Sequence, residues 1–133
     1  MSKRQISVIV PTRDRPDTLR QALASIRALE ADDITFEILV GDNGSDPESR
    51  KVASDFGAIH IPVSDKGAAA ARNAGLKAAT GEFLAFLDDD DIWLPSHVRR
   101  HLEILDANPE IEAVLAQVIA VDNDLRELDE PWP

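Results

Sequence analysis

Four consecutive aspartates, Asp88 to Asp91, form the group with the clearest chemical potential in this sequence of 133 residues. They directly follow the apolar run Phe83 to Leu87, which predicts a buried strand and holds the first aspartates at its end. Two like charges about 4 Å apart repel by about 4 kcal/mol at an effective dielectric of about 20, so the group needs a counter-cation. Carboxylate oxygens are suitable ligands for Mg²⁺ or Mn²⁺, and Mg²⁺ in proteins is usually bound by one or two carboxylates together with phosphates of the substrate. The run therefore predicts a site in which a metal ion bridges the aspartates and a diphosphate ligand. The alternative is a solvated acidic loop at the start of the next helix.

Asp42 and Arg72 are the other residues whose types suggest ligand binding. Asp42 ends a predicted strand, where its carboxylate would either close a turn with Asn43 and Gly44 or accept a hydrogen bond from a ligand N–H, such as a nucleobase imide. Arg72 lies in an Ala-rich predicted helix, where it would either be solvated or meet a phosphate or a base. For Arg13 the same two alternatives apply: a solvated side chain, or contact with a phosphate or a base.

Alternating strand and helix patterns determine where these residues lie in the fold. The β-rich runs predict five strands, at residues 6–10, 36–40, 58–63, 83–87 and 113–121. Helical spacing, Ala-rich composition and proline positions predict helices that begin near Pro16, at residue 48, at residue 68 and at Pro95. This alternation predicts a three-layer α/β domain with a mostly parallel sheet. His60 alternates with Ile59 and Ile61, which predicts a half-buried strand residue.

The unusual polar residues follow the predicted strands at one edge of the sheet. They are Thr12, Arg13, Asp14, Asp42, Asn43 and Asp88 to Asp91. Ligands of such sheets bind outside the carboxyl ends of the strands. The convergence of polar groups that are distant in sequence is therefore the main indication of function.

The composition excludes several classes of function. The chain has 14 Lys and Arg against 25 Asp and Glu, a net charge of −11, which argues against nucleic-acid or anionic-membrane binding. The absence of cysteine excludes disulfides, thiolate zinc sites and a cysteine nucleophile. The longest late apolar region, 113–121, is too short to span a bilayer, so we expect a cytoplasmic protein without a transmembrane segment.

Four blocks of the sequence resemble the family-2 glycosyltransferases, which have the GT-A fold. In chain order the blocks are residues 6–15 (ISVIVPTRDR), 37–45 (EILVGDNGS), Gly67 with 71–75 (ARNAG), and 81–95 (GEFLAFLDDDDIWLP). Each block alone is a modest signal, whereas four blocks in this order, covering roughly residues 5–120, are specific. The resemblance implies a nucleotide-sugar donor, most often a UDP-sugar, and glycosyl transfer to an acceptor that it does not identify.

The resemblance also assigns roles to individual residues. The donor-binding residues would be Thr12, Arg13, Asp14, Asp42, Asn43, Arg72, Asp88 and Asp89. Thr12 and Arg13 would line the nucleoside pocket. Asp42 would bind the uracil imide, and Arg72 would contact the base or a phosphate.

The acidic run is similar to the Asp-X-Asp motif of this family. By that likeness Asp88 or Asp89 would hold the ribose, and Asp90, with Asp88, would bind Mg²⁺ or Mn²⁺ at the diphosphate. Four successive aspartates leave the register of the motif open by one residue.

The resemblance covers a donor-binding part, and family members usually continue with an acceptor-binding part of similar size. We expect residues 1–121 to form the nucleotide-sugar-binding domain and residues 122–133 to be an acidic tail or linker to the acceptor half, which would hold the general base. The face that this half would cover is expected to be exposed and to allow a homo-oligomer. In the full-length protein the domain would be peripheral to the inner membrane face.

Two other functions fit parts of the sequence. A binding module would keep the same fold without catalysis and pair with another chain. A response-regulator receiver domain is also an α/β domain that binds Mg²⁺, but it requires an acidic pair after strand one and an aspartate after strand three. Here strand one leads into Pro11 to Asp14, and strand three ends at Pro62 to Ser64 with Asp65 beyond.

Overall fold

The computed structural model describes residues 3–128, and strands and helices alternate along this part of the chain as far as Ala107. Residues 3–98 belong to one compact unit and residues 99–128 to a second. The four strands of the described chain are β1 (Arg4–Thr12), β2 (Ile34–Asp42), β3 (Ile59–Pro62) and β4 (Phe83–Phe86). Its four helices are α1 (Pro16–Arg27), α2 (Pro47–Asp55), α3 (Ala68–Ala78) and α4 (His97–Ala107). The predicted alternation is confirmed as far as α4.

The strands form one parallel sheet in the order β3-β2-β1-β4. The register pairs Thr12 with Asp42 and Asp42 with Pro62, so β1, β2 and β3 end level with one another. The predicted parallel α/β sheet is confirmed. Its carboxyl edge is where ligands of such sheets bind, and the polar residues predicted to meet there follow β1, β2 and β4.

The core lies between the central strands and the helices that cover them. β1 and β2 read as nearly continuous buried apolar runs, as expected for parallel strands that are covered on both faces. On α1 the side chains at helical spacing are fully buried: Leu19, Ala22, Leu23 and Ile26. This apolar stripe fixes α1, with the loop that precedes it, against the sheet, whereas Leu29, at the next helical spacing, lies beyond the end of α1 and is half-buried.

The loop after β1 ends in a helix start that the proline determines. Arg15 is the N-cap residue of α1, Pro16 follows in the first turn, and the amide of Leu19 donates to the Arg15 carbonyl at 3.0 Å. Proline is favoured there because its missing N–H would lack a partner in any case. This start places the Arg15 side chain at the carboxyl edge of the sheet.

The predicted fifth strand at residues 113–121 is wrong for the described chain. These residues have no regular secondary structure apart from an isolated antiparallel bridge between Val121 and Glu127. Leu115 is 94% exposed, and Val118 and Ile119 are more than half exposed. An apolar run becomes a strand only when a neighbouring strand accepts its backbone hydrogen bonds, and none does so here among residues 3–128.

In the remaining described tail, the Asp122 carboxylate accepts hydrogen bonds from the amides of Asp124 and Arg126. The end of the predicted acidic tail, residues 129–133, lies outside the described residues. No helix within residues 3–128 is both long enough and apolar enough to cross a membrane.

β4 carries apolar side chains that the sheet leaves exposed. This strand pairs with β1, and Leu84 and Phe86, which alternate along it, are 53% and 50% exposed. Alternate residues of a strand lie on the same face of the sheet, so the two side chains share one face.

Glu37 holds β2 to the chain segment between α3 and β4. Its carboxylate accepts hydrogen bonds from the Ser7 hydroxyl at 2.7 Å and from the amide and hydroxyl of Thr80 at 2.8 and 2.7 Å. Burial opposes ionisation of this group, but these donors outweigh it and lower the pKa of Glu37 below its ordinary value of 4.5.

This network predicts a stability that depends on pH. Because the folded-state pKa of Glu37 is lowered, the stabilisation it provides is present above a pH of 4.5 and is lost as the pH falls through the folded-state pKa. Glu37→Gln is expected to reduce the free energy of unfolding at pH 7 by about 1–2 kcal/mol and to flatten its acid dependence. Urea unfolding between pH 7 and 3 measures both, with Glu103→Gln on the surface of α4 as control. Parallel pH profiles for Glu37→Gln and the wild type would contradict the assignment.

Gly41 allows α3 to lie close to the end of β2. A Cβ atom added at Gly41 would lie 2.2 Å from the carbonyl oxygen of Ala71, which is backbone and cannot move aside alone. Gly41→Ala is therefore expected to lower the free energy of unfolding by about 1–3 kcal/mol and to shift α3, which carries Arg72. Urea unfolding and the amide chemical shifts of α3 measure this. An unchanged unfolding midpoint with unchanged shifts would show that the contact is loose.

Candidate functional site

A cleft of about 290 Å³ opens at the carboxyl edge of the sheet. It is lined by residues from the ends of β1 and β2, from the start of α3 and from the loop after β4: Pro11, Thr12, Arg13, Arg15, Asn43, Gly67, Ala68, Arg72, Asp88, Asp89 and Asp90. Seven of the nine residues predicted to bind donor or metal line this cleft, and Asp14 and Asp42 do not. The predicted convergence of distant polar groups is thus present in the structure.

Asp89 is the buried member of the aspartate run. It is 3% exposed, and its Oδ2 accepts a hydrogen bond from the Thr12 hydroxyl at 2.8 Å. The backbone amide of Arg13 and the guanidinium of Arg15, with its Nε at 3.6 Å, also face this carboxylate. Burial nevertheless raises the pKa of Asp89 above its ordinary value, and the charge of Asp90 adds to that shift. Asp89 therefore ties the loop after β4 to the loop after β1.

Asp88 and Asp90 are exposed and are each paired with an arginine. Arg72 donates to Asp88 Oδ1 at 2.8 Å, and Arg15 donates to Asp90 Oδ2 at 3.2 Å. The aspartate run was predicted to need a cation for its counter-charge, whereas in the structure these two guanidinium groups supply part of it. Exposed ion pairs contribute only about 0–1 kcal/mol, so a charged ligand can exchange with them at little cost.

The aspartate run also fits a divalent cation. Asp88, Asp90 and Asp91 each offer one carboxylate oxygen, and these oxygens lie within 4.8 Å of one another. Oxygen donors of this kind suit Mg²⁺ and Mn²⁺. Partial burial and the charges of the three neighbouring aspartates raise the pKa of Asp91, and a cation would relieve that repulsion. The cluster contains both predicted ligands and adds Asp91, while Asp89 is held by Thr12.

Asp42 is buried beside the cleft and has both carboxylate oxygens in hydrogen bonds. It is 6% exposed; Oδ1 accepts from the amide of Gly44 at 2.8 Å, and Oδ2 lies 2.8 Å from Nε2 of His60. The turn role considered for Asp42 is confirmed by the Gly44 contact. His60 is half-buried in β3, as predicted, but its contact with Asp42 was missed.

Asp14 and Asn43 support the wall of the cleft. Asp14 has a positive φ of 53°, and its Oδ1 accepts from the amides of Ser45 and Asp46 at 2.7 and 2.9 Å. These hydrogen bonds lower the pKa of Asp14. The side-chain amide of Asn43 donates to the Gly67 carbonyl at 2.7 Å, which connects the turn after β2 to the loop before α3.

Arg15 is a charged residue of the cleft that sequence reasoning overlooked at this edge. The sequence predicts a helix that begins near Pro16, the next residue, and no ligand or counter-charge role was assigned to Arg15. Its distances to Asp89 and Asp90 show a second role in neutralising the run. The available signal was position: a basic residue directly after β1 lies at the same edge as the aspartates after β4.

Comparison with known proteins identifies the family of this chain. The model of the family described as "Glycosyl transferase family 2" matches residues 7–132. The chain belongs to this family. This membership decides against the receiver-domain alternative.

The family-2 chain is 33% identical over 104 residues to the UDP-Glc:alpha-D-GlcNAc-diphosphoundecaprenol beta-1,3-glucosyltransferase WfgD of Escherichia coli. That match covers 75% of this chain and 40% of WfgD, so the chain spans about two fifths of that relative's length.

Solved structures show the same fold. TarS 1–349 of S. aureus matches this family-2 chain with a TM-score of 0.70 and 24% identity, over 79% of this chain and 33% of TarS. The glucosyl-3-phosphoglycerate synthase of Mycobacterium tuberculosis, solved with Mn²⁺, UDP and glucosyl-3-phosphoglycerate, matches with a TM-score of 0.60 and 25% identity, over 77% and 39% of the two chains. The GT-A fold implied by the sequence resemblance is confirmed.

Proposed function

We propose that this chain binds a nucleoside diphosphate sugar, most specifically a UDP-sugar, together with Mg²⁺ or Mn²⁺, as the donor-binding part of a glycosyltransferase. The observation that carries the proposal is the cleft in which Arg13, Arg72 and the exposed aspartates meet. UDP-glucose in the name of WfgD, and Mn²⁺ with UDP in the mycobacterial synthase structure, support this choice of ligand.

The nucleoside would lie at the β1 and β2 end of the cleft. Asp42 would accept a hydrogen bond from the imide N–H of uracil, because an ionised carboxylate makes a stronger hydrogen bond than a neutral acceptor. Thr12 and Arg13 would line the nucleoside pocket, with Thr12 fixed by its hydrogen bond to Asp89. The bond between Asn43 and the Gly67 carbonyl would keep this wall in place.

The diphosphate would lie at the β4 end, against the two arginines and the exposed aspartates. Asp88 and Asp90, with Asp91, would hold the cation, which when bound stabilises the negative charge of the leaving diphosphate. Arg72 and Arg15 would then turn from their surface ion pairs toward phosphate oxygens, for which guanidinium groups are well suited.

The acceptor and the general base are proposed to lie in further sequence joined through residues 122–133. Transfer requires a base that removes the proton of the acceptor hydroxyl. The aspartates of the cleft are committed to Thr12, to the arginines or to the cation, and each would face the departing diphosphate. We therefore assign donor binding to this chain.

Calorimetric titration of UDP into the purified chain, with and without Mn²⁺, tests the proposal. We expect binding that Mn²⁺ strengthens, and we expect Mg²⁺ to act in the same direction. Pyrophosphate with Mn²⁺ measures the diphosphate end of the cleft alone. If neither UDP nor pyrophosphate binds with either metal, the assignment of the cleft to a nucleotide-sugar is wrong.

A further inference from the structure

His60 makes a specific contact with the proposed base-recognition residue. The sheet register pairs Val40 with His60 and Asp42 with Pro62, so His60 and Asp42 are diagonal neighbours on one face of the sheet. Nε2 of His60 lies 2.8 Å from Oδ2 of Asp42, and the two side chains are 16% and 6% exposed. The contact is therefore short, sheltered from solvent and set by two strands of the sheet.

The chemistry of the pair fixes the direction of this hydrogen bond. An ionised carboxylate has no hydrogen to give, so Nε2 of the imidazole is the donor and Asp42 remains an acceptor. The amide of Gly44 donates to the other oxygen at 2.8 Å. Donors at both oxygens hold the plane of the carboxylate, and each oxygen keeps a second lone pair for a ligand N–H.

We propose that His60 is a positioning residue for nucleobase recognition: it orients the Asp42 carboxylate so that the site selects a base with an imide N–H. This inference rests on the proposed function. An acceptor held in this way accepts from N3–H of uracil, whereas N3 of cytosine carries no hydrogen and presents a lone pair to it. His60 thereby acts on base selection through Asp42, without contacting the nucleotide itself.

The surroundings of His60 make the contact testable without loss of the fold. The imidazole also lines a depression of about 300 Å³ with Arg50, Ser54, Ala58 and Pro62, so it is not enclosed in the core. Four register pairs of backbone residues join β3 to β2 and do not depend on this side chain. A substitution at residue 60 therefore removes the contact with Asp42 and leaves the strand pairing in place.

The test compares His60→Leu, which has no donor, with His60→Gln, which keeps a side-chain N–H. Each is titrated with UDP, CDP and pyrophosphate in the presence of Mn²⁺. We expect His60→Leu to weaken UDP by about tenfold, to lower the preference for UDP over CDP, and to leave pyrophosphate unchanged. His60→Gln is expected to restore most of the UDP affinity. In the wild type, a long-range ¹H–¹⁵N spectrum is expected to show His60 with its proton on Nε2.

Each other outcome overturns the inference. Unchanged UDP affinity in His60→Leu removes the positioning role, and an equal loss for UDP and pyrophosphate shows a purely structural one. Equal losses in His60→Leu and His60→Gln show that the N–H is not what matters. If His60→Leu does not fold, His60→Gln and the wild-type spectrum decide, since a proton on Nδ1 alone excludes the bond. Wild-type protein that does not bind UDP overturns the proposed function and this inference together, whereas binding without a variant effect overturns this inference alone.

Discussion

Asp90→Asn is expected to abolish the strengthening of UDP binding by Mn²⁺ and to leave the fold intact. Asp90 lies beyond the end of β4, and its contact with Arg15 at 3.2 Å is exposed, so the substitution disturbs no buried group. An amide oxygen is neutral and therefore binds a hard cation more weakly than a carboxylate oxygen does. We expect UDP affinity in Mn²⁺ to fall about 100-fold, or about 2.8 kcal/mol, to the value measured without metal. Calorimetry with and without Mn²⁺ measures the loss.

Asp32→Asn is the matched control for Asp90→Asn. It removes the same charge from an exposed residue just before β2, at the opposite edge of the sheet. We expect its Mn²⁺ dependence to equal that of the wild type. A similar loss in both variants would indicate an effect of net charge, and an unchanged Mn²⁺ dependence in Asp90→Asn would remove Asp90 from the metal site.

The four aspartates show what sequence reasoning could not separate. In sequence they are equivalent, and the register of the motif stayed open by one residue. In the structure Asp89 is 3% exposed and bonded to Thr12, whereas Asp88, Asp90 and Asp91 are exposed and share one small volume. The difference arises because Asp89 lies against the loop after β1, which is 77 residues away in sequence.

The first eight elements could be predicted because each has a strong local signal. The apolar β-rich runs 6–10 and 36–40 predict the middle of β1 and β2, which extend in the structure to Thr12 and Asp42, and α1 combines Pro16 with an apolar stripe at helical spacing. The run 113–121 has the same local signal as these strands and is not one in the described chain. A strand depends on a neighbouring strand as well as on its own residues, and the residues of the run do not show whether such a neighbour is present.

The sequence also did not predict which residues contact one another across the sheet. Alternating strands and helices predict a parallel sheet, but they do not give the order of its strands. The order places β3 beside β2, and this neighbourhood brings His60 to Asp42. The same order places β4 beside β1 and brings Arg15 to the aspartate run. Most of the polar residues of the site were therefore predictable from strand ends, whereas Arg15 and the contacts among these residues were not.

Asp42→Ala is expected to weaken UDP far more than pyrophosphate. The carboxylate is the proposed acceptor for the imide N–H, and pyrophosphate has no base with which to use it. A hydrogen bond to a charged group contributes about 1.5–3 kcal/mol, so we expect UDP affinity in Mn²⁺ to fall roughly 10- to 150-fold. The pyrophosphate affinity should change by less than about twofold, because the arginines and the exposed aspartates remain.

Asp42→Ala also leaves two hydrogen-bond donors without their acceptor, so the control variant must lose a comparable hydrogen bond outside the cleft. Asp42 accepts from Gly44 and from His60, so its loss will lower stability, and the thermal midpoint of each variant is measured first. Asp46→Ala serves as the comparison, since its carboxylate also accepts a backbone amide in the same turn, that of Glu48 at 2.9 Å, but at the start of α2 and outside the cleft. If Asp42→Ala weakens UDP and pyrophosphate equally, Asp42 holds the turn and does not read the base. A loss confined to UDP in Asp42→Ala, and absent from Asp46→Ala, would place base recognition at the end of β2.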